Sequence, residues 1–491
     1  MKRFLFFLMT YPVLSFGQVQ IGQDLVGTGV GDNFGRAVTI SADGSTIASG
    51  AIGFLSRGRV CVYENQGGTW VQVGQNIEGE MDSDFSGSGQ GISLSADGSI
   101  VAIGAFANDG GGDTSGHVRV FENQGGNWVQ IGQDIDGEGA EDRSGESVRL
   151  SADGSVVAIG GRQNDGNGSN SGHVRVYENQ GGNWVQIGQD IDGEAADDES
   201  GFGISLSSDG TIVAIGAAHN TGSGTFSGHV RVFENQGGTW VQVGQDIDGE
   251  SASDQSGEGI SLSADGSRIA IGARYNIGNG SNEGHVRVYE NQGGTWGQVG
   301  QDIHGETPAE HFGNVVGLSS DGTIVAAAAV FNDDNGDDSG QVRLFELRDG
   351  SWTQVGDDLN GDAIFDRFGG SLGLSSSGYV LAIGSDGSDI NGSSSGLMRV
   401  YDFESLLSIT EVLSTQDGVL LYPNPSSDVV NIKLNNPEGF EKALLYSLEG
   451  RVIQFTKSTT IDISSLASGV YIIEIYSDKG IVSKKLIKSN Q

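Results

Sequence analysis

The sequence is 491 residues long and strongly acidic, with 64 Asp and Glu against 26 Lys and Arg and a formal net charge of −38. A field this negative repels nucleic-acid backbones and anionic lipid, so neither is predicted as a partner. With 36% hydrophobic residues the chain can bury a core, and with a single Cys it can form no disulfide within itself.

The first residues have the pattern of a secretory signal peptide. Two basic residues precede an apolar run over residues 4–16, and small residues follow before Gln18. The run is shorter than the roughly 20 apolar residues that a membrane-spanning helix needs. We therefore predict a signal peptide over residues 1–17, cleaved between Gly17 and Gln18, and an exported chain without a transmembrane segment.

Residues 18–404 contain seven repeats with a period of 54 to 58 residues. One marker is a Ser-x-Asp-Gly turn, with its Asp at Asp43, Asp97, Asp153, Asp209, Asp265 and Asp321 and with Ser377 in the seventh copy. The other marker is a tryptophan, at Trp70, Trp128, Trp184, Trp240, Trp296 and Trp352. Each repeat has the pattern of four short strands, which is typical of a β-propeller blade.

The strands of one repeat indicate how the array closes. In the fourth repeat they are predicted over residues 203–207, 212–217, 228–234 and 240–247, joined by Asp-Gly and Gly-Gly turns that favour hairpins. The seventh repeat stops after its third strand, and Val19–Leu25 has the sequence of the missing fourth strand. We therefore predict an all-β chain whose first domain is a seven-bladed β-propeller closed by the N-terminal strand.

Short dipeptides in these strands resemble a known family. Phe34-Gly35, Phe312-Gly313 and Phe368-Gly369 open first strands, and Gly50-Ala51, Gly104-Ala105, Gly216-Ala217 and Gly272-Ala273 close second strands. These pairs resemble the FG-GAP repeat of integrin alpha subunits. The resemblance implies a seven-bladed propeller head whose loop face meets a ligand.

One loop is a candidate calcium site. The Ser-x-Asp-Gly turns offer one carboxylate each, whereas Ca²⁺ takes six to eight oxygens, so we interpret them as plain hairpin turns. In the loop after the second strand of the sixth repeat, Asp333, Asn335 and Asp337 alternate around a glycine. Calcium could bind there, and the alternative is a solvated acidic loop. No other cofactor is predicted.

The loops after the second strand and between repeats fall on one face if the strands alternate in direction. The inter-repeat loops on this predicted ligand face carry Asp136, Glu138, Asp192, Glu194, Asp248 and Glu250. Loops on a rigid scaffold are where binding usually occurs. Because the same acidic pair recurs around the array, whereas acid–base catalysis needs one asymmetric group of residues, we predict no catalytic residue.

Two residue types recur at fixed places in the repeats. His117, His173, His229 and His285 begin third strands. Equivalent positions of different repeats lie far apart, so we interpret these histidines as structural or surface residues and not as metal ligands. Each tryptophan is predicted to pack between blades, the alternative being a set of aromatic surfaces that stack on carbohydrate.

Residues 419–491 differ from the repeats, with 8 basic against 7 acidic residues and with alternating apolar strands. A linker is predicted over residues 405–418. The motif residues are Tyr422, Pro423, Asn424, Pro425, Gly450, Gly469, Tyr471, Lys485 and Lys488. They resemble the type A sorting domain of the type IX secretion system of Bacteroidetes. The resemblance implies a small Ig-like β-sandwich that the outer-membrane translocon and its sortase recognise.

These features together predict a monomeric binding or adhesion protein, located extracellularly or on the outer-membrane surface. Its ligand would be a protein or a glycan that meets the loop face. Two alternatives stay open: a secreted polysaccharide-degrading enzyme on a propeller scaffold, and a structural surface protein whose repeats bind nothing specific.

Overall fold

The computed structural model describes residues 18–53, 57–278, 282–404, 406–407, 419–422, 426, 428–434, 439–447, 452–466, 469–477 and 480–488. The chain divides into two compact units, Met1–Phe403 and Glu404–Gln491. Among the described residues, no helix is long and apolar enough to cross a membrane. The predicted signal peptide, including Gly17, and most of the predicted linker lie outside the described residues.

The strands of the first unit form seven antiparallel sheets. The chain begins with β1 (Val19–Gln20) and β2 (Leu25–Val26), which belong to sheet 7. Sheet 1 contains β3 (Phe34–Ile40), β4 (Thr46–Ala51), β5 (Arg59–Asn65), β6 (Trp70–Gln72) and β7 (Ile77–Glu78). Sheet 2 contains β8 (Ile92–Leu94), β9 (Ile100–Ala105), β10 (His117–Asn123), β11 (Trp128–Gln130) and β12 (Ile135–Asp136). Sheet 3 contains β13 (Ser147–Leu150), β14 (Val156–Gly161), β15 (His173–Asn179), β16 (Trp184–Gln186) and β17 (Ile191–Asp192).

The remaining sheets repeat this order. Sheet 4 contains β18 (Ile204–Leu206), β19 (Ile212–Ala217), β20 (His229–Asn235), β21 (Trp240–Gln242) and β22 (Ile247–Asp248). Sheet 5 contains β23 (Ser256–Leu262), β24 (Arg268–Ala273), β25 (His285–Asn291), β26 (Trp296–Gln298) and β27 (Ile303–His304). Sheet 6 contains β28 (Phe312–Leu318), β29 (Ile324–Ala329), β30 (Gln341–Arg348) and β31 (Ser351–Asn360). Sheet 7 is completed by β32 (Ser371–Leu374), β33 (Val380–Ser385) and β34 (Leu397–Asp402).

The Ser-x-Asp-Gly turn is built by its own side chains. In sheet 4, Asp209 Oδ1 accepts hydrogen bonds from the Ser207 hydroxyl at 2.7 Å and from the Thr211 amide at 3.0 Å. Gly210 has φ +72°, a left-handed conformation that glycine adopts without strain. The carboxylate is therefore occupied within the turn, which agrees with its interpretation as a hairpin turn.

The fourth strand of the repeat differs from the prediction. In sheet 4 it is two short strands, β21 and β22. The amide of Val243 still donates to Val232 of β20, and residues 244–246 leave the ladder. Gly244 has φ +79°, and a Cβ placed there would lie 2.9 Å from the carbonyl oxygen of Gly294. Gln245 donates to the backbone oxygen of Trp296 in sheet 5. The strand breaks because its middle bonds to the neighbouring sheet.

A closed circle of backbone hydrogen bonds joins the seven sheets. Each bond runs from an amide in one Ser-x-Asp-Gly turn to the carbonyl oxygen of the same position in the next turn, with N···O distances of 2.7 to 2.9 Å. The circle runs from Ala42 to Ala96, Ala152, Ser208, Ala264, Ser320 and Ser376, and Ser376 donates back to Ala42. The first unit is therefore a β-propeller-like array in which the last repeat meets the first.

The N-terminal strand completes sheet 7, as the repeat count predicts. Val19 and Gln20 pair with β34, and so do Leu25 and Val26. Arg399 of β34 makes two hydrogen bonds to Asp24, at 3.0 and 2.9 Å. The two ends of the first unit are thus held in one sheet.

Each tryptophan packs between neighbouring sheets, which confirms the prediction for this residue. Trp184 is 4% exposed and lies in a core cluster with Val118 and Ile135 of sheet 2 and Val157 of sheet 3. Its indole N–H donates to the backbone oxygen of Ile131 at 2.9 Å. The other five indoles make the same bond to the preceding sheet. Buried in this way, the rings are unavailable for stacking on carbohydrate.

The second unit is a small all-β unit of two sheets. One sheet contains β35 (Val419–Tyr422), β36 (Val429–Leu434) and β39 (Thr460–Asp462). The other contains β37 (Phe440–Tyr446), β38 (Val452–Thr456), β40 (Gly469–Ser477) and β41 (Gly480–Lys488). Buried side chains of both sheets, including Val430, Ile461, Leu445 and Ile473, form one core.

Candidate functional site

A cavity of about 590 Å³ lies where the first strands of all seven sheets meet. Seven equivalent residues, each seven positions before the turn Asp or Ser377, line it together: Arg36, Gln90, Glu146, Phe202, Glu258, Asn314 and Gly370. Because every sheet contributes the same position, the cavity lies on the axis of the array. We call it the axial cavity.

The axial cavity is where the repeats differ most. The third strand begins His-Val-Arg-Val in four of the seven repeats, whereas the seven equivalent lining residues include six residue types and repeat only Glu. The cavity therefore has no rotational symmetry in its chemistry. The prediction of no catalytic residue, which was made from the repeated acidic loops, stays a prediction.

Three ion pairs surround the axial cavity. Arg36 lies 2.9 Å from Asp386, Arg274 lies 2.8 Å from Glu258, and the third pair joins Arg162 and Glu146 at 2.7 Å. Burial raises the pKa of Glu258, whose side chain is 15% exposed, although Arg274 opposes the shift. In each pair the two charges neutralise each other, and the contact holds the side chains in place.

Two further arginines line the axial cavity without a carboxylate partner. In the part of the chain that the structure describes, no carboxylate oxygen lies within 4.0 Å of Arg149 or Arg367. Arg149 instead donates to neutral oxygens, at 3.2 and 2.9 Å to Gln90 and at 2.8 Å to Val148. Burial lowers its pKa to about 10, so it remains charged at neutral pH. A protein of net charge −38 thus places unneutralised cations in its one axial cavity.

Aromatic side chains complete the lining of the axial cavity. Phe106, Phe202 and Phe331 belong to it. The Arg162 guanidinium lies 5.0 Å from the centroid of the Phe202 ring. Apolar ring faces beside a few fixed charged groups are the usual composition of a small-ligand pocket, and the volume is within the usual range of about 300–1,000 Å³.

A histidine adjoins the ion pairs. His219 Nδ1 lies 3.5 Å from Glu199 Oε1, and Arg162 lies 2.8 Å from the other oxygen of the same carboxylate. The hydrogen bond to Glu199 raises the pKa of His219, and this outweighs the opposing effect of burial.

We expect His219 to titrate above its ordinary pKa of about 6.5. Its contribution to stability is then present below that pH and is lost as the pH rises through the raised pKa of the folded state. NMR of the chain with ¹³C-labelled histidine measures this directly. Glu199→Gln should bring the His219 pKa down, whereas His311, whose pKa is lowered by burial, is an internal reference. A His219 pKa below 6.5 in the unaltered chain contradicts the expectation.

The predicted ligand-face loops lie at one end of the sheets. In the register, His117 is opposite both Ala105 and Asp136, so the loop after the second strand and the inter-repeat loop share that end. Asp136, Asp192, Asp248, Glu138, Glu194 and Glu250 are all exposed. The glutamates also contact arginines of the next sheet; Glu138, for example, lies 3.5 Å from Arg175. These glutamates therefore lie on the loop face and also connect two neighbouring sheets.

The candidate calcium loop uses its groups internally. Asp333 Oδ1 accepts the amide of Asp338 at 2.8 Å, and Asn335 donates from its side chain to Gly361 at 2.7 Å. Asp337 is exposed. Equivalent loops close with the same aspartate-to-amide bond. Calcium at Asp333, Asn335 and Asp337 stays a prediction.

The four repeated histidines are buried, with exposures of 0 to 1%. They are therefore core residues and not surface residues, which were the two alternatives predicted for them. Each histidine is accompanied by one Asp and one Glu, with one ligand atom of each residue within 4.8 Å of the others. No sequence pattern indicated this grouping, because the Glu precedes its His by more than 30 residues.

The sorting-motif residues are described in part. Tyr422 ends β35 and is 47% exposed, Gly469 and Tyr471 lie in β40, and Lys485 and Lys488 lie in β41. Pro423, Asn424, Pro425 and Gly450 lie outside the described residues.

A family model identifies the second unit. Residues 420–489 match the secretion system C-terminal sorting domain. The chain therefore carries a type IX secretion sorting domain at this end, which implies interaction with that machinery and export to the cell surface or the extracellular space. No curated protein matches the chain.

Solved structures similar to the chain are distant. A Bacteroides uniformis protein provisionally named 6-phosphogluconolactonase has 14% identity and a TM-score of 0.46, covering 67% of this chain and 86% of its own. The β-propeller domain of the Trilobed protease from Pyrococcus furiosus has 9% identity and a TM-score of 0.41, covering 71% and 90%. An Agrobacterium tumefaciens protein provisionally named TolB has 14% identity and a TM-score of 0.34, covering 64% and 89%.

Proposed function

We propose that the chain is an exported binding protein whose axial cavity takes an anionic group of an extracellular glycan. The observation that carries the proposal is the presence of Arg149 and Arg367 in the axial cavity without carboxylate partners. An arginine can bind a carboxylate or sulfate through two parallel hydrogen bonds. The phenylalanine faces beside these arginines suit the apolar face of a sugar ring.

The proposal includes the finer architecture. The first unit is taken as a seven-bladed β-propeller of the FG-GAP type, supported by the seven sheets and by the closed circle of hydrogen bonds. The acidic loops surround the ligand and exclude anionic polymers that lack a group matching the cavity. On this view the protein either binds a glycan while it is attached to the cell surface, or is released into the medium and binds the glycan there.

Isothermal titration of the full chain with oligogalacturonate, a heparin oligosaccharide and neutral dextran tests the proposal. We expect at least one acidic glycan to bind and dextran not to bind. Arg149→Gln should weaken binding about 10- to 100-fold, which corresponds to the loss of a charge-assisted hydrogen bond of about 1.5–3 kcal/mol.

The matched control is Arg57→Gln, because Arg57 is a half-exposed arginine that pairs with Asp82 and does not line the axial cavity. It should leave the affinity unchanged. Absence of acidic-glycan binding overturns the proposed function, and so does equal binding by the Arg149→Gln variant. Binding of a neutral glycan instead would place the ligand elsewhere on the loop face.

The polysaccharide-degrading enzyme has one observation in its favour. Glu146 and Glu258 both line the axial cavity, and the pKa of Glu258 is raised. Glycoside hydrolysis uses two carboxyl groups with separated pKa values. Both carboxylates pair closely with arginines, however, so we favour binding. Release of reducing ends from the same glycans would favour the enzyme.

A further inference from the structure

Four clusters at the junctions between sheets have the composition of a metal site. Each combines a Glu that follows the last strand of one sheet with a His and an Asp of the next sheet. The clusters are Glu80, His117 and Asp134; Glu138, His173 and Asp190; Glu194, His229 and Asp246; and Glu250, His285 and Asp302. We call them the junction clusters.

The histidine of each junction cluster is buried and has a ring nitrogen without a hydrogen-bond partner. Nδ1 is without a partner in His117, His173 and His285, and Nε2 is without one in His117, His229 and His285. All four side chains are at most 2% exposed. A buried imidazole nitrogen normally finds a partner, so an unpartnered Nδ1 at three equivalent places indicates a missing ligand, and the cluster of His229 has the same composition.

The distances fit an ion between the groups. In each cluster the histidine Nδ1 lies close to one carboxylate oxygen. The distances are 4.0 Å from His117 to Asp134 Oδ2, 3.9 Å from His173 to Glu138 Oε2, 3.9 Å from His229 to Glu194 Oε2 and 3.7 Å from His285 to Asp302 Oδ2. These separations are too long for hydrogen bonds. Two ligands that each lie about 2.0–2.2 Å from one tetrahedral ion are separated by about 3.3–3.6 Å, so a shift of a few tenths of an ångström brings these groups to ligand distance.

Other residues aim the carboxylates at the imidazole. The Asp uses its Oδ1 to accept from a glutamine, as Asp190 does from Gln186 at 2.6 Å. The Glu uses its Oε1 to contact an arginine, as Glu138 does with Arg175 at 3.5 Å. The other oxygen of the Glu then turns toward His173. Orientation of ligands by hydrogen bonds to a second layer of residues is usual at metal centres.

The junctions without this histidine support the assignment. Between sheets 7 and 1 all three residues differ: Thr28 stands for the Glu, Arg59 for the His and Asn76 for the Asp. Both carboxylates are therefore absent at the junction where a permanent cation replaces the imidazole. Between sheets 6 and 7 the two carboxylates are kept and Leu397 replaces the histidine. There the Arg399 guanidinium lies between them, 2.9 Å from Asp24 and 2.6 Å from Asp362. At this junction a protein cation occupies the space between the two carboxylates.

We propose that the four junction clusters bind divalent first-row transition-metal ions, with Zn²⁺ as the representative. The ligands are one imidazole nitrogen and two carboxylate oxygens. Water completes the coordination, and it reaches the ion from the side of the half-exposed Glu. Imidazole favours Zn²⁺ over Ca²⁺, which prefers oxygen ligands in larger number. Each ion would join two neighbouring sheets.

The test uses the full chain, stripped with chelator and then dialysed against Zn²⁺. We expect about four bound ions per chain by elemental analysis. Titration with Co²⁺ should give the visible absorption of a nitrogen- and oxygen-ligated ion, which Zn²⁺ removes and Ca²⁺ does not. Bound Zn²⁺ should also raise the melting temperature, since it binds only the folded chain.

Two variants with a matched control locate the ions. Glu138→Gln and His173→Asn should each lower the number of bound ions by one. The control is Glu306→Gln, because Glu306 is the equivalent residue of the sheet 5–6 junction and contacts Arg343 in the same way, but Gln341 stands there in place of the histidine. It should leave the number unchanged. If the stripped chain takes up no Zn²⁺ or Co²⁺, or if Glu138→Gln loses no more metal than Glu306→Gln, the proposal is wrong.

Discussion

Removal of residues 18–26 is expected to lower the free energy of unfolding of the first unit by about 5 kcal/mol. Leu25 is buried, which contributes about 1.5–3 kcal/mol, and the two hydrogen bonds of Arg399 to Asp24 contribute about as much. The Trp70 indole also loses its acceptor, the carbonyl oxygen of Ile21. Urea denaturation followed by circular dichroism, on chains with and without these residues, measures the loss.

The deletion also leaves one edge of β34 unpaired, while β33 still pairs with the other edge. An exposed sheet edge favours association with other chains. We therefore expect the shortened chain to aggregate, and a synthetic peptide of residues 18–26 to restore the monomer where a scrambled peptide does not. Val19→Ala is the mild control, because Val19 is 58% exposed, and it should cost less than about 0.5 kcal/mol. Equal stability of the shortened and complete chains would show that sheet 7 does not need the strand.

Trp184→Ala is expected to cost about 3–5 kcal/mol, the range for truncation of a large buried aromatic side chain. The ring is 4% exposed and fills the space between sheets 2 and 3. Trp184→Phe keeps most of the packing but leaves the carbonyl oxygen of Ile131 without its donor, so it should cost about 1–3 kcal/mol. Urea denaturation of both variants gives the two values.

Val185→Ala is the matched control for this prediction, since Val185 is the next residue of the same strand and is 41% exposed. It should change the stability by less than about 0.5 kcal/mol. If Trp184→Ala were no more costly than Val185→Ala, the indole would not support the contact between the sheets. The same comparison can be made at Trp70, Trp128 and Trp240, which make the same bond and are also followed by a valine.

The two sites proposed here use the repeats in opposite ways. The junction clusters arise because the same residues, His, Asp and Glu, recur at equivalent positions of four junctions. The axial cavity is asymmetric because its seven equivalent lining positions hold different residues, among them Arg36, Phe202 and Glu258. A repeat array can therefore hold stabilising sites at its junctions and one asymmetric site on its axis.

The variation at the lining position is visible in the sequence once the repeats are aligned on their turn Asp. What the alignment could not indicate is that these seven residues face one cavity. The same limit applies to His173, whose two carboxylates lie 35 residues before it and 17 residues after it. Neither separation corresponds to the spacing of a local metal-binding motif.

The all-β repeats, the hairpin turns and the N-terminal strand that completes the last sheet could be predicted from the residues alone. These depend on local spacing: alternation of apolar residues, Asp-Gly and Gly-Gly turns, and a period that can be counted. Two features became visible in the folded chain: Arg149 lies in the axial cavity without a carboxylate, and four buried histidines each meet an Asp and a Glu. Closing the array brings together residues of different repeats, and no distance along the chain encodes those contacts.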